Sequence, residues 1–280
     1  MEPSSPKVSI AIPLYNCASH IRATIDSVLA QTFGDFELTV IDDQSTDHSY
    51  HIASSYDDPR VRVVKNIERQ GFFGNWNACL EFMTGTYCKL LPHDDPLEPT
   101  CLEKQVQVLD RHPEVELVHN ARKIIDPAGN ILATRRVKET SGIKDSNESL
   151  RQIVRSGTNP IGEPASVMFR RTTKDRIGGF CEADMFSIDV EYWSRLLAEG
   201  KRYYIDEVLS SFRVWPDSAS VRLFGSQSRS MRGFYQRLQK RYPEAISPSD
   251  VRIGALKSSA LELARGGFYA WMRWTQRGGR

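Results

Sequence analysis

Two pairs of adjacent aspartates stand directly after two of the apolar runs in the sequence: Asp42 with Asp43, and Asp94 with Asp95. In an open parallel sheet, ligands bind outside the carboxyl ends of the strands. Hard divalent cations take carboxylate oxygens, and Mg²⁺ is usually held by one or two carboxylates together with substrate phosphates. The two pairs therefore indicate a site in which a metal on Asp95 bridges to a diphosphate.

Each pair also has a simpler structural interpretation. The turn that contains Asp43 could place Asp47 as the cap of a following helix. The pair Asp94 and Asp95 could form a loop before a helix, since Pro99 suits a first helical turn. The position of both pairs at the ends of predicted strands favours the functional interpretation.

Short apolar runs alternate with helical periodicity in the first third of the chain, which predicts a parallel sheet with helices on both faces. The predicted strands are 8–14, 36–41, 61–64 and 87–91, with helices at 21–29 and 76–83. Further predicted elements are helices 101–109, 146–156 and 187–199, strands 115–118, 165–169, 202–205 and 208–212, and a hairpin turn at 126–130. From Gln227 the chain is predicted to be helical, with breaks at Pro243 and Pro248. We expect a catalytic α/β domain over 7–220 and a helical C-terminal extension over 221–280.

Composition narrows the class of protein. The 280 residues carry a formal net charge of +2, so we expect no nucleic-acid partner. Five cysteines without paired short spacings predict reduced thiols rather than disulfides or a zinc site. The start of the chain does not resemble a secretory signal, and no run reaches the roughly 20 apolar residues of a membrane span. We expect a cytoplasmic protein, at most peripheral at the inner face of the membrane.

Several segments occur in an order that resembles a known family. Residues 8–16 (VSIAIPLYN) resemble its opening strand, and residues 36–47 (FELTVIDDQSTD) resemble its Asp-Asp-Gly-Ser-x-Asp nucleotide turn. Residues 85–95 (GTYCKLLPHDD) resemble the stretch that leads to its DxD metal motif. The chain resembles, over about 7–220, a family 2 glycosyltransferase with the GT-A fold, a Rossmann-like α/β fold with a mostly parallel central sheet.

The resemblance implies roles for particular residues on the donor side. Asp43 would accept a hydrogen bond from the nucleotide base, and Asp94 would lie near the ribose or the sugar. Asp95 would bind Mg²⁺ or Mn²⁺. Trp76 stands where many members carry an arginine. The implied donor-nucleotide residues are Pro13, Tyr15, Asp43, Asn77 and Asp94.

The base that activates the acceptor is expected later in the chain. Residues 187–196 (SIDVEYWSRL) resemble the family segment that opens a helix with an aspartate, and Asp189 occupies that position. Ile188 stands where the usual glutamate precedes it. A carboxylate beside a cleft could take the proton of the acceptor hydroxyl. The alternative is that Asp189 only caps a helix that begins near Val190.

Two further segments concern the phosphate and acceptor side. Arg213 matches an arginine near the end of the family's domain, and Trp215 stands where a metal-binding or phosphate-binding histidine often lies. Tryptophan cannot ligate a metal, so that ligand is expected to be missing or replaced. The loop 159–166, rich in Gly and Pro, predicts Glu163 as an acceptor-side residue, with an ordinary rigid turn as the alternative.

The resemblance implies an inverting transfer of a sugar from a nucleotide-diphosphate sugar to an acceptor hydroxyl. Glycan and lipid-linked acceptors both fit the bacterial cell-surface polysaccharide glycosyltransferases that the chain resembles. The aromatic and arginine residues of 268–277 could contact an anionic membrane, or could belong to an ordinary packed helix. A sugar nucleotidyltransferase would need a Gly-rich loop after the first strand, which 14–19 lacks. A non-catalytic nucleotide-sugar-binding protein with the same fold remains the other alternative.

Overall fold

A computed structural model of the chain describes residues 5–181, 185–215 and 225–277, with side chains described as far as residue 267. The strands are β1 Val8–Leu14, β2 Phe36–Asp42, β3 Val61–Lys65, β4 Tyr87–Leu90, β5 Val115–Ile125, β6 Ile131–Arg135, β7 Gly142–Lys144, β8 Val167–Arg170 and β9 Lys201–Arg213. The helices are α1 Ile21–Leu29, α2 Ser49–Ser54, α3 Gly71–Glu81, α4 Cys101–Arg111, α5 Ser146–Ser156, α6 Arg171–Ile177, α7 Ile188–Glu199, α8 Gln227–Arg241 and α9 Pro248–Arg277.

The strands of the described residues form one sheet in the order β3-β2-β1-β4-β8-β5-β9-β7, with β6 paired to β5. Six of these strands, β1 to β4, β5 and β9, run in the same direction, and β6, β7 and β8 run against them. The predicted α/β fold with a mostly parallel central sheet is therefore confirmed.

Burial on both faces explains why β1 is a continuous apolar run. Val8, Ile10 and Ile12 join one hydrophobic cluster with residues of α1 and α4. Ala11 faces the opposite cluster, which contains residues of α3, α5, α7 and α8. A strand covered by helices on both faces has no solvent side, so it lacks the polar alternation of a half-exposed strand.

Several predicted boundaries differ from the structure; the strand predicted at 115–118, for example, continues to Ile125. The strands predicted at 202–205 and 208–212 are one strand, β9, whose register against β5 shifts near Asn120. The helix predicted at 76–83 begins earlier, at Gly71. The strand predicted at 165–169 begins at Val167, because Pro164–Ser166 form a short 3-10 helix. The predicted domain boundary at 220 lies outside the described residues.

Helices α8 and α9 pack against each other, and α9 also packs on α5. Arg155 of α5 donates to Asp250 of α9 at 2.8 Å, and Arg151 donates to the Ala245 carbonyl at 3.0 Å. Gly254 allows α9 to lie close to α5, because a Cβ added at this glycine would lie 2.1 Å from the Val154 carbonyl oxygen. No helix among the described residues is long and apolar enough to cross a membrane.

Replacing Gly254 with alanine is expected to lower the free energy of unfolding by about 2 kcal/mol, since α9 must move away from α5 to admit the methyl group. Glycine to alanine within a helix otherwise stabilises by about 1 kcal/mol. Gly267→Ala is the matched control on the same helix, because nothing lies within 4 Å of the Cβ added there. Urea unfolding of both variants measures the difference, and equal stability of the two would contradict the packing described.

Candidate active site

A cavity of about 1030 Å³ lies at the carboxyl ends of β1, β2, β4, β5 and β9. The three carboxylates Asp43, Asp95 and Asp189, far apart in sequence, all line it. The sequence-predicted residues that line the cavity are Pro13, Tyr15, Asp43, Asp94, Asp95, Glu163, Asp189 and Arg213. The structure therefore brings together all but one of the predicted site residues.

Asn77 is the exception, and its predicted position in the donor cleft is wrong. Its side-chain oxygen accepts from the Phe180 amide at 2.7 Å, and its nitrogen donates to the Phe180 carbonyl at 3.3 Å. Asn77 therefore anchors the segment after α6 and does not line the cavity. Successive residues of a helix point about 100° apart, and the residues of α3 that reach the cavity are Gly71, Phe72, Asn75 and Trp76.

Asp43 ties the end of β2 to the start of α3. Its buried carboxylate accepts from the backbone amides of Gln70 at 2.7 Å and Gly71 at 2.9 Å, and from the Asn66 side chain at 2.8 Å. Carboxylates at helix starts satisfy amides that have no partner inside the helix. The early start of α3 follows from this contact. The three hydrogen bonds also hold the Asp43 carboxylate in a fixed orientation at the cavity.

Two residues near the donor side adopt the left-handed backbone conformation that is unusual outside glycine. Asn16 follows β1 with φ 47°, and Gln44 follows β2 with φ 61°. Gln44 stands where the family pattern has glycine, which explains why glycine suits that position. The two loops are joined because Asn16 accepts from the Thr46 amide at 2.8 Å. Asp47 accepts from the Ser49 amide at 2.9 Å, but the residue that precedes α2 is His48, so Asp47 is not the cap of this helix.

Tyr15 and Arg69 form a stacked pair at the same end of the cavity. The Arg69 guanidinium lies 4.1 Å from the centre of the Tyr15 ring, and both residues line the cavity. The sequence identified Tyr15 but not Arg69, since no motif marks the loop before α3. The pair offers a flat surface on which a planar group can stack.

Asp95 carries a buried carboxylate with one oxygen engaged and the other unpartnered. Oδ1 accepts from the Arg213 amide at 2.8 Å, and Oδ2 has no hydrogen-bond partner among the residues that the structure describes. Burial, with the charge of Asp94 beside it, raises the pKa of Asp95 well above its usual range. An unpartnered buried carboxylate oxygen that lines a cavity fits a cation ligand, because a cation would offset its desolvation.

Trp215, which follows β9, forms a hydrogen bond with the side chain of Asp94. Its indole Nε1 donates to Asp94 Oδ2 at 2.7 Å. The histidine expected from the family is thus replaced by a hydrogen-bond donor that orients Asp94. Among the described residues, no group of three or more His, Cys, Asp or Glu side chains could hold a metal. The residues present fit a divalent cation that draws its remaining ligands from a diphosphate and from water.

Arg213 connects the aspartate loop to the turn between β5 and β6. Its guanidinium donates to the carbonyls of Asp94 at 2.9 Å and of Asp126 and Pro127 at 3.0 Å. Its backbone amide also binds Asp95. Arg213 therefore fixes the geometry of both aspartates while it lines the cavity.

Asp189 lies in the first turn of α7 with its carboxylate half-buried. Oδ1 accepts from the Val190 amide at 2.7 Å, and Oδ2 accepts from the Asn159 side chain at 2.8 Å. The residue that precedes the helix is Ser187, so Asp189 is not the helix cap. Burial, then the nearby charge of Glu163, raises the pKa of Asp189 to about 7. A carboxyl with that pKa exchanges its proton near neutral pH, as a general base requires.

Glu163 forms an ion pair with Arg122 of β5. Burial alone would raise its pKa, but the guanidinium groups of Arg122 and Arg135 hold the pKa of Glu163 below its ordinary value. Arg122 and Arg135 are register partners on β5 and β6, and both line the cavity. The sequence identified Glu163 but missed both arginines, since only the pairing of these strands brings them to the site.

The predicted C-terminal extension forms one wall of the cavity. Arg265 of α9 donates to the Gln227 side chain of α8 at 2.8 Å and to the Thr158 hydroxyl at 2.8 Å. Leu261, Ala264 and Met231 also line the cavity. The side chains of 268–277, where membrane contact was predicted, lie outside the described residues.

An α/β sheet with paired aspartates at its strand ends and a third aspartate lining the same cavity is the arrangement that the resemblance to a glycosyltransferase implies. The family model described as glycosyl transferase family 2 matches residues 9–178, more than half of the chain. The chain therefore belongs to glycosyl transferase family 2 and is a glycosyltransferase, as the sequence predicted.

The chain is also similar in sequence to individual bacterial proteins. An uncharacterized protein of Mycobacterium tuberculosis, MT1568, is 30% identical over 91% of this chain and 82% of its own length. The putative glycosyltransferase EpsE of Bacillus subtilis is 28% identical over 79% of this chain and 78% of its own. The hyaluronan synthase of Pasteurella multocida is 26% identical over 80% of this chain, which spans only 22% of that enzyme.

The fold also matches a solved structure. Residues 1–349 of Staphylococcus aureus TarS in complex with UDP-GlcNAc superpose with a TM-score of 0.68 at 18% identity, covering 84% of this chain and 66% of that chain. This likeness confirms the predicted GT-A fold. Membership of the family supports the predicted transfer from a nucleotide sugar.

Asp189→Asn is expected to stabilise the protein at pH 8 and to have little effect on stability near pH 4. The pKa of Asp189 is raised from 3.8 to about 7 in the folded protein. Between pH 3.8 and pH 7, the folded state therefore keeps a proton on Asp189 that the unfolded chain has already lost. Stability from this group therefore falls as pH rises through that window. We expect a gain of roughly 2 kcal/mol at pH 8, allowing for solvent screening. Urea unfolding across pH 4–9 measures it, and a pH-independent difference would contradict the raised pKa.

Proposed function

We propose that this glycosyltransferase uses Asp189 as the general base of an inverting transfer from a nucleoside-diphosphate sugar, with Asp95 as the ligand of a divalent cation. The observation that carries the proposal is the shared cavity: the half-buried Asp189 carboxylate and the unpartnered Asp95 Oδ2 line the same space. In this reaction the acceptor oxygen attacks the anomeric carbon, and the bond to the diphosphate breaks on the opposite face.

Asp189 takes the proton of the acceptor hydroxyl as the new glycosidic bond forms. Each of its oxygens already accepts one hydrogen bond, from Val190 and from Asn159, and keeps a lone pair for the hydroxyl. Its pKa of about 7 makes the ionised form available at neutral pH while keeping it basic enough to take a proton. The turnover rate should therefore fall as pH drops below about 7.

On the donor side, Asp95 and Asp94 would face the diphosphate, and Tyr15 with Arg69 would stack on the base. A divalent cation bound at Asp95, Mg²⁺ or Mn²⁺, would supply a Lewis acid that neutralises the leaving diphosphate. We propose uridine as the nucleoside, because TarS was solved with UDP and with UDP-GlcNAc. The acceptor we propose is a glycan or lipid-linked hydroxyl. The relatives named hyaluronan synthase and chondroitin synthase support the glycan.

Thermal stabilisation by nucleoside diphosphates tests the donor side without knowledge of the acceptor. A ligand that binds only the folded state raises the melting temperature. The panel is UDP, GDP, CDP and ADP, each with Mn²⁺, with Mg²⁺ and with EDTA. We expect UDP with Mn²⁺ or Mg²⁺ to stabilise most, and UDP with EDTA to stabilise much less. Stabilisation by no nucleotide in the presence of metal would overturn the proposal.

A non-catalytic nucleotide-sugar-binding protein would pass that first test, so a second measurement separates it. An enzyme releases nucleoside diphosphate from its donor sugar when an acceptor or water attacks, whereas a binding protein does not. Release of UDP should be followed over a panel of UDP-sugars, with and without the Asp189→Asn substitution. Release that depends on Asp189 supports the enzyme, and its absence with every donor would favour the binding protein.

A further inference from the structure

The side chain of Asn159 contacts Asp189 and the loop that follows Asn159 at the same time. Its Nδ2 donates to Asp189 Oδ2 at 2.8 Å and to the Gly162 carbonyl at 2.9 Å. Its Oδ1 accepts from the amides of Ile161 at 3.1 Å and Gly162 at 3.0 Å. A flipped amide would place its NH₂ group against two N–H donors, so the amide has one orientation. That orientation directs an N–H donor at Asp189.

The loop that holds Asn159 is itself fixed by buried side chains. His119 Nδ1 lies 2.8 Å from the Ile161 carbonyl, and Trp193 Nε1 donates to the Gly162 carbonyl at 3.0 Å. His119 Nε2 lies 2.8 Å from Arg202 Nη1. The arginine can only donate, so Nε2 accepts and the proton of His119 lies on Nδ1. Burial and the charge of Arg202 keep the pKa of His119 well below its usual range. The loop therefore keeps its hydrogen bonds across the neutral pH range.

Gly162 allows this loop to close tightly. Its φ of +114° is rarely adopted by residues with a side chain. An added Cβ would lie 2.4 Å from Ser166 Oγ and 3.0 Å from Arg122 Nη1. Close packing at this glycine fixes the path of the loop whose backbone the Asn159 amide contacts.

We propose that Asn159 is the positioning residue for the base of the transfer reaction: its fixed amide sets the direction of the Asp189 carboxylate and favours its ionised form. The inference rests on the proposed function, because it assigns Asn159 a role only if Asp189 takes the acceptor proton. The sequence placed Asn159 at the start of a turn and gave it no role.

The charged groups that act on Asp189 come from two elements. Glu163, on the same loop, favours the protonated form, and Arg122 of β5 favours the ionised form. The Asn159 hydrogen bond also lowers the pKa of Asp189 against the effect of burial. Loss of this bond should therefore raise the pH at which Asp189 ionises, an effect that a purely structural loop residue would not produce.

Two substitutions separate positioning from loop structure. Asn159→Asp keeps the oxygen that accepts from Ile161 and Gly162, and replaces the donor by a second carboxylate facing Asp189. Asn159→Ala removes both interactions. Ser166→Ala is the matched control in the same loop, because its hydroxyl donates to the Glu163 carbonyl and, among the described residues, contacts neither the Asn159 amide nor the Asp189 carboxylate.

The pH at which Asp189 ionises can be measured without any substrate. The melting temperature of each variant is recorded from pH 4 to 9, with and without the additional Asp189→Asn change, and the difference reports the titration of Asp189. The stability difference changes between the unfolded and the folded pKa of Asp189 and levels off above the folded value. The midpoint of this levelling-off, at the folded pKa, is expected near pH 7 for the unchanged protein. The midpoint should rise by roughly one pH unit or more for Asn159→Asp, rise less for Asn159→Ala, and stay unchanged for Ser166→Ala.

Unmoved midpoints in both Asn159 variants would overturn the inference and leave the proposed function intact. If Asn159→Ala does not fold, Asn159→Asp carries the test, because it keeps the two loop hydrogen bonds that Oδ1 accepts from Ile161 and Gly162, although it loses the one donated to the Gly162 carbonyl. Failure of the proposed function would give a different result: the Asp189→Asn variant would still turn over a UDP-sugar, whatever the midpoints of the Asn159 variants are. Once a UDP-sugar that the enzyme turns over is known, the Asn159 variants should lower kcat about 10–100-fold and leave KM for the donor unchanged. The acid limb of the pH profile of kcat should shift by the same number of pH units as the midpoint.

Discussion

Asp189→Asn is expected to lower kcat about 10²–10⁴-fold, the usual contribution of a general base, while nucleotide binding is unchanged. Asparagine has the same shape, and its single oxygen can accept from one of the two donors that the carboxylate binds, Asn159 or the Val190 amide. The loop and α7 should keep their positions, because the contacts of the loop with His119 and Trp193 are unchanged. It cannot take a proton from the acceptor hydroxyl. Release of nucleoside diphosphate from the donor identified by thermal stabilisation measures the rate, and the UDP-induced melting shift measures binding.

Asp175→Asn is the matched control for this substitution. Asp175 lies on α6, outside the cavity, and its carboxylate pairs with Arg171 and Lys174. The control should lose at most a few tenths of a kcal/mol of stability and retain full turnover. Undiminished turnover in Asp189→Asn would remove Asp189 from the chemistry and leave the cavity as a binding site only.

Asp95→Asn is the second substitution for which we expect a large effect. It should impair metal binding and the departure of the diphosphate from the donor. Asparagine can accept from the Arg213 amide as Asp95 Oδ1 does, so the fold should be retained. The substitution removes the carboxylate charge that faces the cation. Because Lewis-acid stabilisation of a leaving group is worth several kcal/mol, kcat/KM should fall about 10²–10³-fold. The extra melting shift that Mn²⁺ gives with UDP should disappear.

The two aspartate variants serve as controls for each other. Asp189→Asn should keep the metal-dependent part of the UDP melting shift and lose turnover, whereas Asp95→Asn should lose both. A Mn²⁺-dependent shift that persists in Asp95→Asn would mean that the cation is held elsewhere. Loss of the shift in Asp189→Asn would mean that the two carboxylates do not act on separate halves of the reaction.

The parallel part of the fold was predictable because its signals are local. A strand buried on both faces is a continuous apolar run, and β1 coincides with the predicted 8–14. Parallel strands place their carboxyl ends at one edge, so carboxylates after β2 and β4 had to meet. The same logic predicts Asp43 and Asp95 at one site, and both line the cavity.

Features that depend on non-local packing were not predictable from one sequence. The polar residues Asp206 and Glu207 interrupt β9 as a turn would, yet β9 continues by shifting its register against β5. Arg122 and Arg135 reach the cavity only because β5 pairs with β6. The wall formed by Arg265 of α9 depends on how two distant helices pack, which periodicity does not encode.

The family pattern was most informative where the backbone requires a residue type and least informative where side chains can rotate away. The turn after β2 forms as expected, even with Gln44 in the glycine position. Asn77 matched a family asparagine by sequence, but its amide binds Phe180 instead of the cavity. Asn159 matched no motif, although it contacts Asp189 directly.

A crystal structure of the protein with UDP and Mn²⁺, with the manganese located by anomalous scattering, tests the central claim most directly. We predict one manganese peak in contact with Asp95 and with the diphosphate of UDP, inside the cavity that Asp189 also lines. UDP bound outside the cavity that Asp43 and Asp95 line, or manganese bound with UDP but away from Asp95, would contradict the account.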